Sequence, residues 1–182
     1  MIIYLVRHPQ TEWNKKKLLQ GWLDSPLTEE GKAIAHMLGE RLKEKGIKKI
    51  VTSDLGRCVE TARIINLYLN IPAVESKEFR EQNFGKLSGG PRTEAVLRQL
   101  DENPDLAPPE GESRHHMGAR WIRALEKLED QTLVVTHEGC VMTFLSSTLH
   151  KPIADCRMKQ TEIITLEKTE KGEQFKVIHV EA

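Results

Sequence analysis

Four residues able to handle a phosphoryl group stand just past short apolar runs of this 182-residue chain. Arg7 and His8 follow the run at 2–6, Arg57 follows "IKKIVTSDLG", and His137 follows "TLVVT". A guanidinium presents planar paired donors that match phosphate oxygens. A histidine among such groups can attack phosphorus, provided its attacking nitrogen is neutral and aimed. The opening stretch "LVRHPQT" poses the question most sharply. Strands must end somewhere, and polar residues gather where they do. Equally, the carboxyl end of a buried parallel strand is where open α/β folds place their chemistry.

The elements that would hold these residues can be read along the chain. The run at 2–6 fits a fully buried strand. Thr28 is an N-cap candidate with Glu29 and Glu30 in the first turn; Ile34, Leu38 and Leu42 repeat at helical spacing, and Gly46 supplies a stop. A second strand is predicted at 47–53. The following helix shows Val59, Ala62, Ile65 and Leu69 on one face, and a short extended piece follows at 71–74. Residues 75–113 read as a loop-rich insertion with one short helix at about 92–100. Met117, Trp121, Leu125 and Leu128 share a helical face. "TLVVTH" is a third buried strand, with a helix beginning near Gly139, and "TEIITLEKTEKGEQFKVIHV" closes as two strands around a Lys-Gly turn. Strands alternating with helices predict a three-layer α/β/α sandwich with a mostly parallel central sheet and a C-terminal hairpin, all in one domain spanning 1–182. Right-handed crossovers point parallel strands the same way. Arg7, His8, Ser53, Asp54, Arg57 and His137 then converge on one rim as a cationic cup.

Composition narrows the partners. Lys and Arg number 27, as do Asp and Glu, so 27 − 27 leaves a formal net charge of zero. That argues against a nucleic-acid binder working through bulk positive charge. No apolar stretch nears the roughly 20 residues of a membrane span, and the first residues lack a secretory pattern. Cys58, Cys140 and Cys156 are an odd count without paired-ligand spacing, which reads as reduced, cytoplasmic chemistry. No metal cluster is evident, since His115 and His116 are adjacent and point apart on a helix. His36, His150 and His179 read as structural or solvent-facing, Lys15 to Lys17 as a solvated loop, and Trp13 and Trp22 as packing under that loop.

Five ordered stretches carry a family resemblance, from residue 2 to about residue 145. "LVRHPQTEWN" with "LLQGWLDSPLTEEGKAIA", "VTSDLGRCVETARII", "FREQNFGKLSG", "PPEGES" and "LVVTHEG" together resemble the histidine phosphatase superfamily, the phosphoglycerate-mutase-like proteins. The resemblance implies that His8 becomes a phosphohistidine while Arg7, Arg57 and His137 hold the non-bridging oxygens. It implies that Asn14 and the Gln20-Gly21 turn line the site, and that Glu81 is the general acid, then the base. It implies no metal and no cofactor, and a small phosphorylated metabolite as partner, with a homodimer left open. Pro9 and Gln10 replace the usual Gly-Glu after the first histidine. Glu138 stands where glycine is common after the second; its carboxylate is expected to turn outward, pairing with Lys or Arg of the insertion or receiving part of the substrate. The short chain and compact insertion favour a phosphatase. A phosphoglycerate mutase and a phospho-ligand-binding pseudoenzyme are the competing readings.

Overall fold

The computed structural model describes residues 1–168 and 175–182. The predicted Lys-Gly turn at Lys171 and Gly172 lies outside the described residues. The apolar runs fall on strands β1 (Ile2–Arg7), β2 (Lys49–Ser53), β3 (Ala73–Ser76), β4 (Thr132–Thr136), β5 (Ile163–Glu167) and β6 (Lys176–Glu181). They form one sheet in the order β3-β2-β4-β1-β5-β6. The first four are parallel and the last two antiparallel.

Alternation along the strands builds the layers. Ile3 and Leu5 of β1, with Val134 of β4, pack on one face against Met117, Trp121 and Leu145. Tyr4 and Val6, with Leu133 and Val135, pack on the other face against Leu38, Leu42, Ala62 and Ile65. A strand buried on both faces has no polar face to show, so these segments read as continuous apolar runs rather than alternating ones. This is the expected three-layer sandwich with its mostly parallel sheet.

The helices are α1 (Glu12–Lys15), α2 (Glu29–Leu42), α3 (Gly56–Leu69), α4 (Glu94–Glu102), α5 (Arg114–Leu125) and α6 (Glu138–Leu149). Thr28 caps α2, its Oγ1 accepting the Gly31 N–H at 3.0 Å, and α2 ends at Leu42, short of the predicted stop at Gly46. α4 is the short helix expected in the insertion. α5 begins earlier than its apolar repeat suggested, because the Ser113 hydroxyl accepts the His116 N–H and fixes the start. On α3 the inward face carries Cys58, Ala62 and Ile65 rather than Val59. Arg57 must face the cavity above the sheet, which turns Cys58 into the core. The extended piece predicted at 71–74 is the edge strand β3, two residues later, and it is mostly exposed.

Candidate active site

The strand order brings the decisive ends together. β2, β4 and β1 are neighbours, and the His8 N–H continues the ladder by donating to the Thr136 carbonyl at 3.0 Å. Arg7 and His8, Ser53 and His137 therefore share one sheet edge. Above it lies a cavity lined by Arg7, His8, Asn14, Gln20, Gly21, Arg57, Glu81 and Glu138, together with Arg92, Arg114 and Arg157.

His8 is 4% exposed. Its Nδ1 lies 2.8 Å from the Pro9 carbonyl oxygen, which can only accept, so Nδ1 carries the proton and Nε2 keeps its lone pair. Arg57 Nε donates toward that Nε2 at 3.3 Å. Burial first, then the charges of Arg57 and Arg7, hold the imidazolium pKa well below its ordinary value, against the opposing pull of the Pro9 carbonyl. The imidazole is thus neutral and pre-aimed.

Arg57 is itself fixed on nearly every edge. Nη2 donates to the Gly21 carbonyl at 2.8 Å, and Nη1 donates to the Leu23 carbonyl at 2.9 Å and to Asp24 at 3.1 Å. Gly21 sits at φ +53, and a Cβ there would meet the Gln82 carbonyl oxygen at 3.1 Å, so only glycine turns the chain in this space. Asn14 is oriented by a capping box: its Oδ1 accepts the Thr11 N–H at 3.0 Å while its own N–H donates to Thr11 Oγ1 at 3.2 Å. No hydrogen bond from its Nδ2 is found among the described residues, and Asn14 lines the cavity. Gln20 is 7% exposed with an unpartnered Oε1.

Glu81 is held on three sides. Its Oε1 accepts the Gln82 N–H at 2.8 Å and its Oε2 accepts the Gly139 N–H at 3.1 Å. Its carbonyl accepts from Trp22 Nε1 at 2.8 Å and Arg120 Nη2 at 2.9 Å. Arg120 in turn forks onto Glu112 of "PPEGES". A Cβ on Gly139 would stand 2.4 Å from Glu81 Oε1, so the glycine clears the space the carboxylate fills. The Gly139 N–H at the start of α6, a natural anion donor, is spent on Glu81.

His137 is fully buried and stands behind His8, ring centroids 5.2 Å apart, outside the cavity lining. Its Nε2 lies 2.9 Å from Ser53 Oγ and 3.4 Å from Cys58 Sγ. Burial, with Arg57 next, keeps it neutral by lowering its pKa, and burial pushes the Cys58 thiol up, so the sulfur stays protonated.

Glu138 corrects an expectation. Its side chain does not turn away from the cup. Oε2 lies 3.1 Å from Arg7 Nη2 and 3.4 Å from Arg92 Nη2, and Oε1 lies 3.9 Å from Arg157 Nη1. Three guanidiniums gather on this one carboxylate and hold it at the cavity wall. The pairing with Arg92 is the partner expected from the insertion; the pairing with Arg7 is not. Sequence reasoning missed Arg92, Arg114, Arg157, Asp24, Arg120 and Glu112. Only Asp24 and Glu112, lying inside family-like stretches, carried any signal. Among the described residues no group of three or more His, Cys, Asp or Glu side chains is gathered as metal ligands would be. None of the described helices is long and apolar enough to cross a membrane.

Comparison with known proteins shows the family and the fold. The model of the histidine phosphatase superfamily (branch 1) matches residues 3–181. A relative from Yersinia pestis (strain Pestoides F), named probable phosphoglycerate mutase GpmB, is 36% identical over 162 residues, covering 82% of this chain and 75% of its own. The solved structure of Bacillus stearothermophilus YhfR superposes with a TM-score of 0.82 at 32% identity, covering 97% of this chain and 95% of that one. The fold is also that of a mycobacterial glucosyl-3-phosphoglycerate phosphatase, with a TM-score of 0.78 at 24% identity over 91% of this chain and 89% of that one. With the matched stretch running across nearly the whole chain and every strand of the sheet, the protein belongs to the histidine phosphatase superfamily.

Proposed function

We propose that the chain is a phosphatase that hydrolyses a small phosphate monoester through a phosphohistidine at His8, without a metal ion. The observation that carries this reading is the Nδ1 contact of His8 with the Pro9 carbonyl, which puts the proton on Nδ1 and leaves the Nε2 lone pair, met by the Arg57 Nε–H, to attack phosphorus. In the first step Nε2 forms a bond to phosphorus and the ester P–O bond breaks. Protonated Glu81 gives its proton to the departing oxygen. In the second step water attacks phosphorus, its proton passes to Glu81, and the N–P bond breaks to release phosphate. Arg57 Nε, already beside Nε2, and Arg7 stabilise the charge that spreads over the non-bridging oxygens. His137 acts from behind, its ring packed edge-on to His8.

The test is hydrolysis of nitrophenyl phosphate by wild type and His8→Ala, with brief turnover quenched at alkaline pH to preserve acid-labile phosphohistidine. Turnover with a chelator present, label on His8, and loss of both in the variant are expected. Activity surviving His8→Ala overturns the reading. Because relatives are named as mutases, 3-phosphoglycerate is run with and without bisphosphoglycerate: release of phosphate supports hydrolysis, and formation of 2-phosphoglycerate supports phosphoryl return. Binding of phosphate esters without either product would identify a pseudoenzyme.

A further inference from the structure

Glu138 opens α6 with its side chain 14% exposed, among arginines from three separate stretches of chain: Arg7 at the end of β1, Arg92 just before α4, and Arg157 in the segment between α6 and β5. Without a carboxylate between them these guanidiniums would repel one another. Arg7 divides its donors: Nη1 gives to the Met158 carbonyl at 3.0 Å, Nη2 pairs with Glu138, and Nε is buried without a partner. Each Nη keeps a second hydrogen for a phosphoryl oxygen, so Glu138 need not depart when a phosphoryl group arrives. The remaining arginine of the outer lining, Arg114, is tied through Nη2 to Asp101 at 2.6 Å. The lining holds five arginines against Glu81, Glu138 and Asp101, a formal surplus of 5 − 3 = 2 positive charges, about what a phosphoryl dianion itself carries, so little is left to greet an acidic leaving group.

Resting on the phosphate-ester reading of the cavity, we propose that Glu138 is a built-in counter-ion that sets the substrate class. The site takes phosphate esters whose leaving group is uncharged or cationic, and discriminates against those bearing a carboxylate or a second phosphate. A hydroxyl or amine on the leaving group can use the Glu138 oxygens as acceptors. A carboxylate would meet a like charge, and like-charge contacts strongly suppress binding.

The test uses alkylphosphonates of one chain length, which cannot be hydrolysed, ending in a hydroxyl, an amine or a carboxylate. Calorimetry on the wild-type protein should show the carboxylate binding at least about tenfold more weakly than the hydroxyl, with the amine equal to or tighter than the hydroxyl. Glu138→Gln should shrink that gap or reverse it, as Arg92 and Arg157 lose their partner. Carboxylate binding in wild type as tight as hydroxyl binding overturns the proposal, as does a gap unchanged in Glu138→Gln. Should the variant fail to fold, the wild-type order alone decides. Nitrophenyl phosphate turnover, run in parallel, reports on the reaction separately. Turnover with the wrong phosphonate order sinks only the selectivity. Absence of turnover with the right order sinks only the reaction.

Discussion

A single hydrogen atom on Gly139 decides where Glu81 can stand, because any Cβ there would meet the carboxylate. Glu81→Gln should slow first-turnover cleavage of alkyl phosphates by about 10²–10⁴ while sparing the first-turnover burst of nitrophenol, whose departure needs no proton. Gly139→Ala should reproduce that pattern more weakly, by roughly ten- to a hundredfold on alkyl esters, since it displaces the acid without removing it. Equal loss on both ester types in either variant would show that the carboxylate does something other than protonate the leaving oxygen. At this scale much was legible in advance. His8, Arg57 and Glu81 follow from family-like stretches, while the Gly139 contact was hidden because it joins residues far apart whose meeting depends on how α6 starts.

At the scale of elements, α1 is only four residues long and exists to aim Asn14. Thr11→Val keeps the shape and removes the Oγ1 that caps the turn. It should cost about 1 kcal/mol of stability and lower kcat/KM by about tenfold, read from urea unfolding and steady-state rates. A stability loss with kcat/KM unchanged would remove Asn14 from the binding of the phosphoryl group. Strands β1 and β4 were legible because burial on both faces writes a continuous apolar run, whereas β2 showed itself by the Ile50-Val51 pair alone. Edge strand β3 was placed early, since an exposed strand imposes little pattern. The facing of α3 was misread at Val59 because apolar periodicity ignores the demand that Arg57 look into the cavity. The arginines gathered on Glu138 were illegible for a related reason: ion pairs between loops leave no period at all.

For the whole molecule, two buried neutral histidines tie stability to pH. The native pKa values of His8 and His137 are both lowered, chiefly by burial. The unfolded chain would protonate them near about 6.5. Below that value the unfolded state binds more protons than the native one, so stability falls as pH falls. Unfolding midpoints should be level above neutrality and decline from about pH 6.5 downward, with a shallower decline in His137→Gln. An acid limb unchanged in that variant would count against His137 as a contributor. The strand order has a temporal meaning as well. β4 lies between β1 and β2, yet it is synthesised about 80 residues after β2 and far later than β1. The two earlier strands cannot pair with each other in the native arrangement, so the rim stays open until β4 slots between them. Such distant pairing is slow to form. A ribosome partway along this message therefore carries His8 and Arg57 with no His137 beside them, and the cup waits on β4 for its rear wall.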